Sequence, residues 1–270
     1  MPELPEVETS CRGIAPHIEG ETISSVVVRN RKLRWPISFD VDEQLPGATV
    51  TSVGRRAKYL LINTTNGTAI MHLGMSGSVY VIDAGTAAGV HDHVDIEFGC
   101  GKALRLTDPR RFGSLHWCTD PLQHELIRKL GPEPLSDSFD GQYLWSKSRG
   151  RRVAIKQFIM NAHIVVGVGN IYASESLFIA GIHPKRAAGR IALQRYEKLA
   201  TTIKDVLERA ISAGGTTLRD FYGSDGQAGY FSQQLEVYDR DGEECRICAT
   251  PIRAIVQGQR STYYCKNCQT

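Results

Sequence analysis

Residues 22–29 read TISSVVVR, the first of seven short β-like runs. The others are 48–53, 57–64 (AKYLLINT), 68–73, 78–82, 93–98 and 103–107. β-Branched and aromatic residues fill them, and turn residues punctuate them at short intervals. That texture predicts antiparallel strands in a sandwich or barrel. The block ends near residue 130. Ahead of it, Val7, Cys11, Ile14 and Ile18 recur at helical spacing, and Gly20 stops the run. A short amphipathic helix should therefore cover one edge or face of the strands.

Beyond the strands, Gly131-Pro132-Glu133-Pro134 reads as a linker. The texture then turns helical, with candidate helices at 153–160, 170–180 and 192–213. In the last, Leu193, Tyr196, Leu199, Ile203, Val206, Leu207 and Ile211 form an apolar stripe suited to a helical core. The stretch 214–229 is too rich in glycine for regular structure and reads as a mobile loop that could close over a ligand.

A chain of 270 residues suits two domains, or two and a small module. Hydrophobic residues make up 41% and charged residues 23%, which is ordinary for a globular protein. No apolar run approaches the roughly 20 residues of a membrane span, and no signal peptide is visible. Of seven cysteines, Cys11, Cys100 and Cys118 are scattered and four cluster near the end. That pattern is not a secreted disulfide framework, so a reducing cytoplasm is expected.

Cys245-x-x-Cys248 is followed, after sixteen residues, by Cys265-x-x-Cys268. Two knuckles of this spacing can present four thiolates to one tetrahedral zinc. Four thiolates fill the coordination sphere, so one structural zinc ion is expected. It would supply folding energy that roughly 35 residues cannot draw from a core of their own. Residues 255–264 between the knuckles read as a β-hairpin with a glycine-containing turn, and Arg260 should sit near its tip.

The first six residues, Met1-Pro2-Glu3-Leu4-Pro5-Glu6, carry the chemistry. In an ordinary protein Pro2 and Pro5 would only start a helix, with the glutamates favouring its N-terminal dipole. Removal of Met1, however, leaves Pro2 with a free secondary amine, a group of reference pKa roughly 7.7–8.0. Such an amine can attack an electrophilic carbon. With a sugar C1′ it gives an iminium that cannot shed its charge by losing an N–H proton. Met1, if retained, would acylate the nitrogen and abolish this reactivity.

Lys147, Arg149, Arg151, Arg152 and Lys156 fall within ten residues without an acid. Val166-Gly167-Val168-Gly169 then precedes Asn170, where backbone N–H groups could face an anion. Beside a zinc hairpin, a nucleic-acid phosphate is the better candidate. In the strand block, Lys58 stands inside an apolar strand-like run. Met75, Arg110 and Phe112 stand on two apparent loops, where a long or flat side chain could wedge into a base stack. His91 and His93 alternate on a strand edge; one should be structural and the exposed one could meet a phosphate.

The start PELPEVE, then HLGMSG, TDPRRFG, VVGVGNIYASESLF, GGTTLRDF and the four-cysteine terminus, in that order, resemble bacterial formamidopyrimidine-DNA glycosylases from end to end. The resemblance implies an α+β architecture. An N-terminal β-sandwich with a covering helix (1–130) would be catalytic. A helix–two-turn–helix domain (131–235) would bind DNA and carry a lesion-capping loop at 214–229. A zinc-finger β-hairpin would occupy 236–270, with DNA in the cleft between domains. The implied activity is excision of 8-oxoguanine and formamidopyrimidines from duplex DNA, followed by β,δ-elimination, by a monomer acting on the nucleoid. Pro2 would be the nucleophile, Glu3 the general acid, Lys58 the β-elimination lysine and Arg260 the δ-elimination arginine. His91, Arg110 and Arg151 would contact DNA. Asn170, Lys156 and Lys58 would clamp phosphates, and Met75, Arg110 and Phe112 would fill the void left by the flipped base. Thr216, Thr217 and Arg219 would cap that base. An oxidised-pyrimidine glycosylase of the endonuclease VIII type, or a non-catalytic damaged-DNA binder, would share parts of this pattern. Residues 83–90 carry no motif.

Overall fold

The computed structural model describes residues 2–215 and 234–270. Two compact units emerge. One comprises Met1–Arg128 with Ala213–Ser232, the other Lys129–Ser212 with Gln233–Thr270.

Among the described residues, the first unit holds eight strands in two antiparallel sheets. One has the order β1-β6-β7-β5 (Ile23–Val28, Asp92–Phe98, Lys102–Thr107, Ser78–Asp83). The other runs β2-β3-β4-β8 (Val50–Arg56, Tyr59–Thr64, Gly67–His72, Ser114–Cys118). Ile23, Val94 and Leu104 from the first sheet and Leu60, Ile62 and Leu115 from the second share one core, which makes a sandwich. Helix α1 (Leu4–Ile18) adds Val7, Cys11, Ile14 and Ile18 to it, the stripe read from the sequence. The helix is laced to β2 at successive points: Glu8 to Arg55 Nε, Cys11 Sγ to Gly54 O at 3.1 Å, and Glu19 to Val53 N.

Several expectations shift. Lys58 is not inside a strand. Arg56 pairs with Tyr59, so Ala57 and Lys58 form a two-residue hairpin turn, and Ala57 takes φ +57°. Strand β8 had no sequence signal, because His116 and Trp117 break the apolar alternation of a five-residue segment. β6 lies between β1 and β7 rather than at an edge. His93 is buried there with Nε2 2.8 Å from Asp108 O, whereas His91 precedes the strand and is exposed. A short helix, α2 (Asp40–Gln44), was also unforeseen.

The second unit holds α3 (Gly141–Ser148), α4 (Ile155–Ile159), α5 (Asn170–Ile179) and α6 (Leu193–Ser212), then the hairpin β9–β10 (Arg253–Gln257, Arg260–Tyr264). α3 escaped the sequence reading because it opens on glycine and is mostly polar. Asp140 caps it, accepting from Tyr143 N at 2.6 Å. A Cβ at Gly141 would lie 2.3 Å from Glu197 Cα, so the glycine allows α3 to close on α6. α4 is shorter than expected, since Ala154 is held extended in a bridge to Ala187.

Candidate active site

Pro2 and Glu3 are buried at the head of α1. Glu3 is the N-cap, and its backbone N–H donates to Glu6 Oε2 at 2.8 Å in a capping box. Both carboxylates are buried, at 2% and 1% exposure, so Pro2 adjoins two acids at the positive end of the helix. Gly215 approaches the same place: a Cβ there would lie 3.3 Å from Glu6 Cγ.

Arg55 bonds Glu8 and also donates to Ala57 O at 2.9 Å, bracing the turn that presents half-buried Lys58. His72, missed in the sequence, shares this electrostatic neighbourhood. Burial, then the charges of Lys58 and Arg34, push its pKa down to about 4. Neutral His72 Nδ1 accepts Gly74 N–H at 2.9 Å, which places the remaining proton on Nε2.

Met75 and Phe112 are exposed on neighbouring loops, and Arg110 stacks 4.9 Å above the Phe112 ring. Fully buried Asp108 ties the loops together. It accepts Ser76 Oγ at 2.8 Å and Gly113 N at 2.7 Å, while Arg110 N reaches Ser76 Oγ at 3.2 Å. The expected trio thus sits on one braced platform. An open hollow of about 520 Å³ beside it is lined by Lys32, Leu33, Arg34, Arg110, Arg111 and Phe112. Exposed His91 lies in the same unit.

In the second unit, Arg151 is exposed and its backbone bonds Ser148 and Gly189. Lys156 departs from expectation. It is 1% exposed, and its ammonium donates to Asn170 Oδ1 (2.7 Å), Thr262 Oγ1 (2.8 Å) and Ser261 O (3.2 Å). It therefore props Asn170 and strand β10 from within instead of presenting its charge to solvent. Asn170 at the start of α5 also donates to Ser261 O at 3.0 Å. Glu175 was missed in the sequence, although a carboxylate inside the apolar run YASESLF was its one signal. Burial raises its pKa, opposed by three backbone donors at 2.8–3.0 Å from Glu236, Val237 and Tyr238.

The hairpin turns at Gly258-Gln259, with φ +58° and +60°, and exposed Arg260 opens β10 directly after it. The four cysteine sulfurs lie within 4.8 Å of one another, three of the pairs at 3.5–3.9 Å. A tetrahedral ion with Zn–S bonds of about 2.3 Å separates its sulfurs by about 3.8 Å, so the set fits zinc. Arg219, Thr216 and Thr217, like Met1, lie outside the described residues.

Three family models match this chain. The formamidopyrimidine-DNA glycosylase N-terminal domain covers residues 1–115, its H2TH domain 130–222, and a zinc finger found in FPG and IleRS 242–270. The chain belongs to the formamidopyrimidine-DNA glycosylase family. A formamidopyrimidine-DNA glycosylase of Pseudomonas putida is 60% identical over 269 residues, and one of Pseudomonas aeruginosa is 58% identical, with 100% of both chains covered in each case. Among solved structures, a Lactococcus lactis family member with Fapy-dG containing DNA matches with TM-score 0.92 and 31% identity over 100% of both chains. The Thermus thermophilus protein matches with TM-score 0.90 and 32% identity, over 99% of this chain and 98% of that one. Like its family, this protein is a DNA glycosylase of base-excision repair, with one structural zinc in its finger. Among the described residues no helix is long and apolar enough to cross a membrane.

Proposed function

We propose that this glycosylase excises 8-oxoguanine and formamidopyrimidines from duplex DNA with Pro2 as nucleophile. The supporting observation is the head of α1, where a buried Pro2 adjoins Glu3 and Glu6, themselves linked by a 2.8 Å hydrogen bond. Once Met1 is removed, the lone pair of Pro2 nitrogen attacks deoxyribose C1′. The glycosidic bond breaks toward the base, the nitrogen sheds its proton, and its lone pair then breaks C1′–O4′ to open the ring as an iminium, with Glu3 the general acid for the departing base or for O4′. The resulting iminium withdraws electrons from C2′–H. Loss of that proton, in the environment of Lys58, expels the 3′ phosphate, and a second elimination assisted by Arg260 expels the 5′ phosphate. Water then hydrolyses the Schiff base and frees Pro2.

Extrusion of the base costs a few kcal/mol of stacking. Met75, Arg110 and Phe112 offset it by occupying the gap. His91, Arg151 and Asn170 contact the DNA backbone, Lys156 acts through Asn170, and Arg219 caps the base. Zinc, when bound, fixes the hairpin that carries Arg260. Functionally, residues 1–130 form the catalytic domain, 131–235 the DNA-binding domain and 236–270 the finger, working as a monomer on nucleoid DNA in the cytoplasm.

Borohydride reduction during turnover of an 8-oxoguanine:cytosine duplex tests the reading. Mass spectrometry should place the adduct on Pro2 of Met1-free protein. An adduct on an internal lysine would overturn it. Preferential release of thymine glycol would instead favour the pyrimidine-type activity.

A further inference from the structure

Residues 84–91 are all exposed, and the loop contains two glycines and no buried apolar side chain. Such a segment has little to fix its course. Beneath it, however, Arg105 of β7 is only 5% exposed. Its Nε and Nη2 grip both oxygens of Asp95 at 2.8 Å. Nη2 also donates to Thr86 O at 2.7 Å, and Nη1 donates to Ala87 O at 3.0 Å and Asp92 Oδ2 at 3.4 Å. A guanidinium has five N–H donors, matching these five contacts.

Asp92 continues the chain of contacts. Its Oδ2 accepts Gly89 N at 2.8 Å, its Oδ1 accepts Thr107 Oγ1 at 2.5 Å, and the preceding carbonyl, of His91, accepts Asp108 N at 2.9 Å. His91 therefore stands where a loop gripped by backbone carbonyls meets a strand held by a buried carboxylate. A buried ion pair is weak evidence for net stability, but its directional bonds fix geometry.

We infer that Arg105, with Asp92 and Asp95, is a positioning residue that holds the 84–91 loop so that His91 meets a DNA phosphate. The inference deepens the proposed function and rests on its reading of His91. Lysine at 105 keeps the charge but cannot grip Asp95 and two carbonyls together. R105K should therefore weaken binding to a duplex with a stable abasic analogue roughly tenfold, the size of one charge-assisted hydrogen bond. Single-turnover excision at saturating enzyme should stay within about twofold.

The test is a double-mutant cycle of His91→Ala with R105K, reading affinity, saturating excision rate and melting temperature. If Arg105 acts through His91, the double variant binds no worse than His91→Ala alone. Should R105K fold poorly, R105M/D95L replaces the buried pair by apolar volume and removes the grip, leaving Arg29, one-third exposed, and Asp92 each short of one ion-pair partner; it should match R105K in the cycle. Additive losses, or unchanged affinity in folded R105K and R105M/D95L, overturn the positioning role. Unchanged affinity in His91→Ala removes the phosphate-contact reading and this inference with it, while normal Pro2 trapping in that variant would leave the glycosylase mechanism standing.

Discussion

A Cβ placed on Gly74 would lie 2.4 Å from the carbonyl carbon of Phe112, and Gly74 itself takes φ +65°. Both facts demand glycine. The loop bearing Met75 and the loop bearing Phe112 touch through bare backbone, so the two side chains of the proposed wedge are carried as one unit. Gly74→Ala should destabilise the protein by roughly 2 kcal/mol and lower excision from duplex DNA at least about tenfold. Cleavage of a single-stranded abasic oligonucleotide, which needs no wedge, should change by less than about twofold. Melting temperature and the two rates, measured together, check this.

In the proposed mechanism Glu3 protonates a leaving group, whereas a preformed abasic site has no base to expel. Glu3→Gln should reduce 8-oxoguanine release by at least about 10²-fold, the scale of general-acid catalysis. Trapping of Pro2 on abasic DNA should fall far less. Equal loss on both substrates would contradict the assignment.

The internal position of Lys156 separates two kinds of cation. Substitution by methionine strands acceptors on Asn170, Ser261 and Thr262. The expected result is a loss of roughly 2–4 kcal/mol of stability together with weaker DNA binding. A cation contacting phosphate directly would give weaker binding at unchanged stability, so denaturation and affinity measurements distinguish the two.

His72 is held at about 4 against an ordinary 6.5, chiefly by burial and then by Lys58 and Arg34. Between these values the unfolded chain binds a proton that the folded chain refuses. This contribution to stability is complete above the unfolded value and is lost as pH falls toward 4. Protonation would also put hydrogen on Nδ1 and break its bond from Gly74. Melting temperature should therefore drop between pH 6.5 and 4 more steeply in wild type than in His72→Gln.

The features legible in the sequence were those with strict local grammar. The cysteine knuckles, the strand runs and the α1 stripe each declare themselves within a few residues. Lys156 and Arg151 look alike in a basic run, yet one is swallowed by β10 and the other faces solvent, because burial depends on residues about a hundred positions away. Lys58 looked like a strand residue because its turn contains alanine instead of glycine. Arg105 and Glu175 organise loops through distant backbone, and Asp108 through the distant Ser76 hydroxyl, and no spacing rule announces that.

Ala57 adopts a left-handed conformation at a hairpin corner, which costs an L-residue about 1–2 kcal/mol. A screen selecting only for heat tolerance should therefore recover Ala57→Gly early. The winner would outlast its parent at high temperature and nick abasic strands more slowly, because the lysine beside it would wander. With Lys58 in its proposed elimination role, durability and lyase speed compete at that single corner.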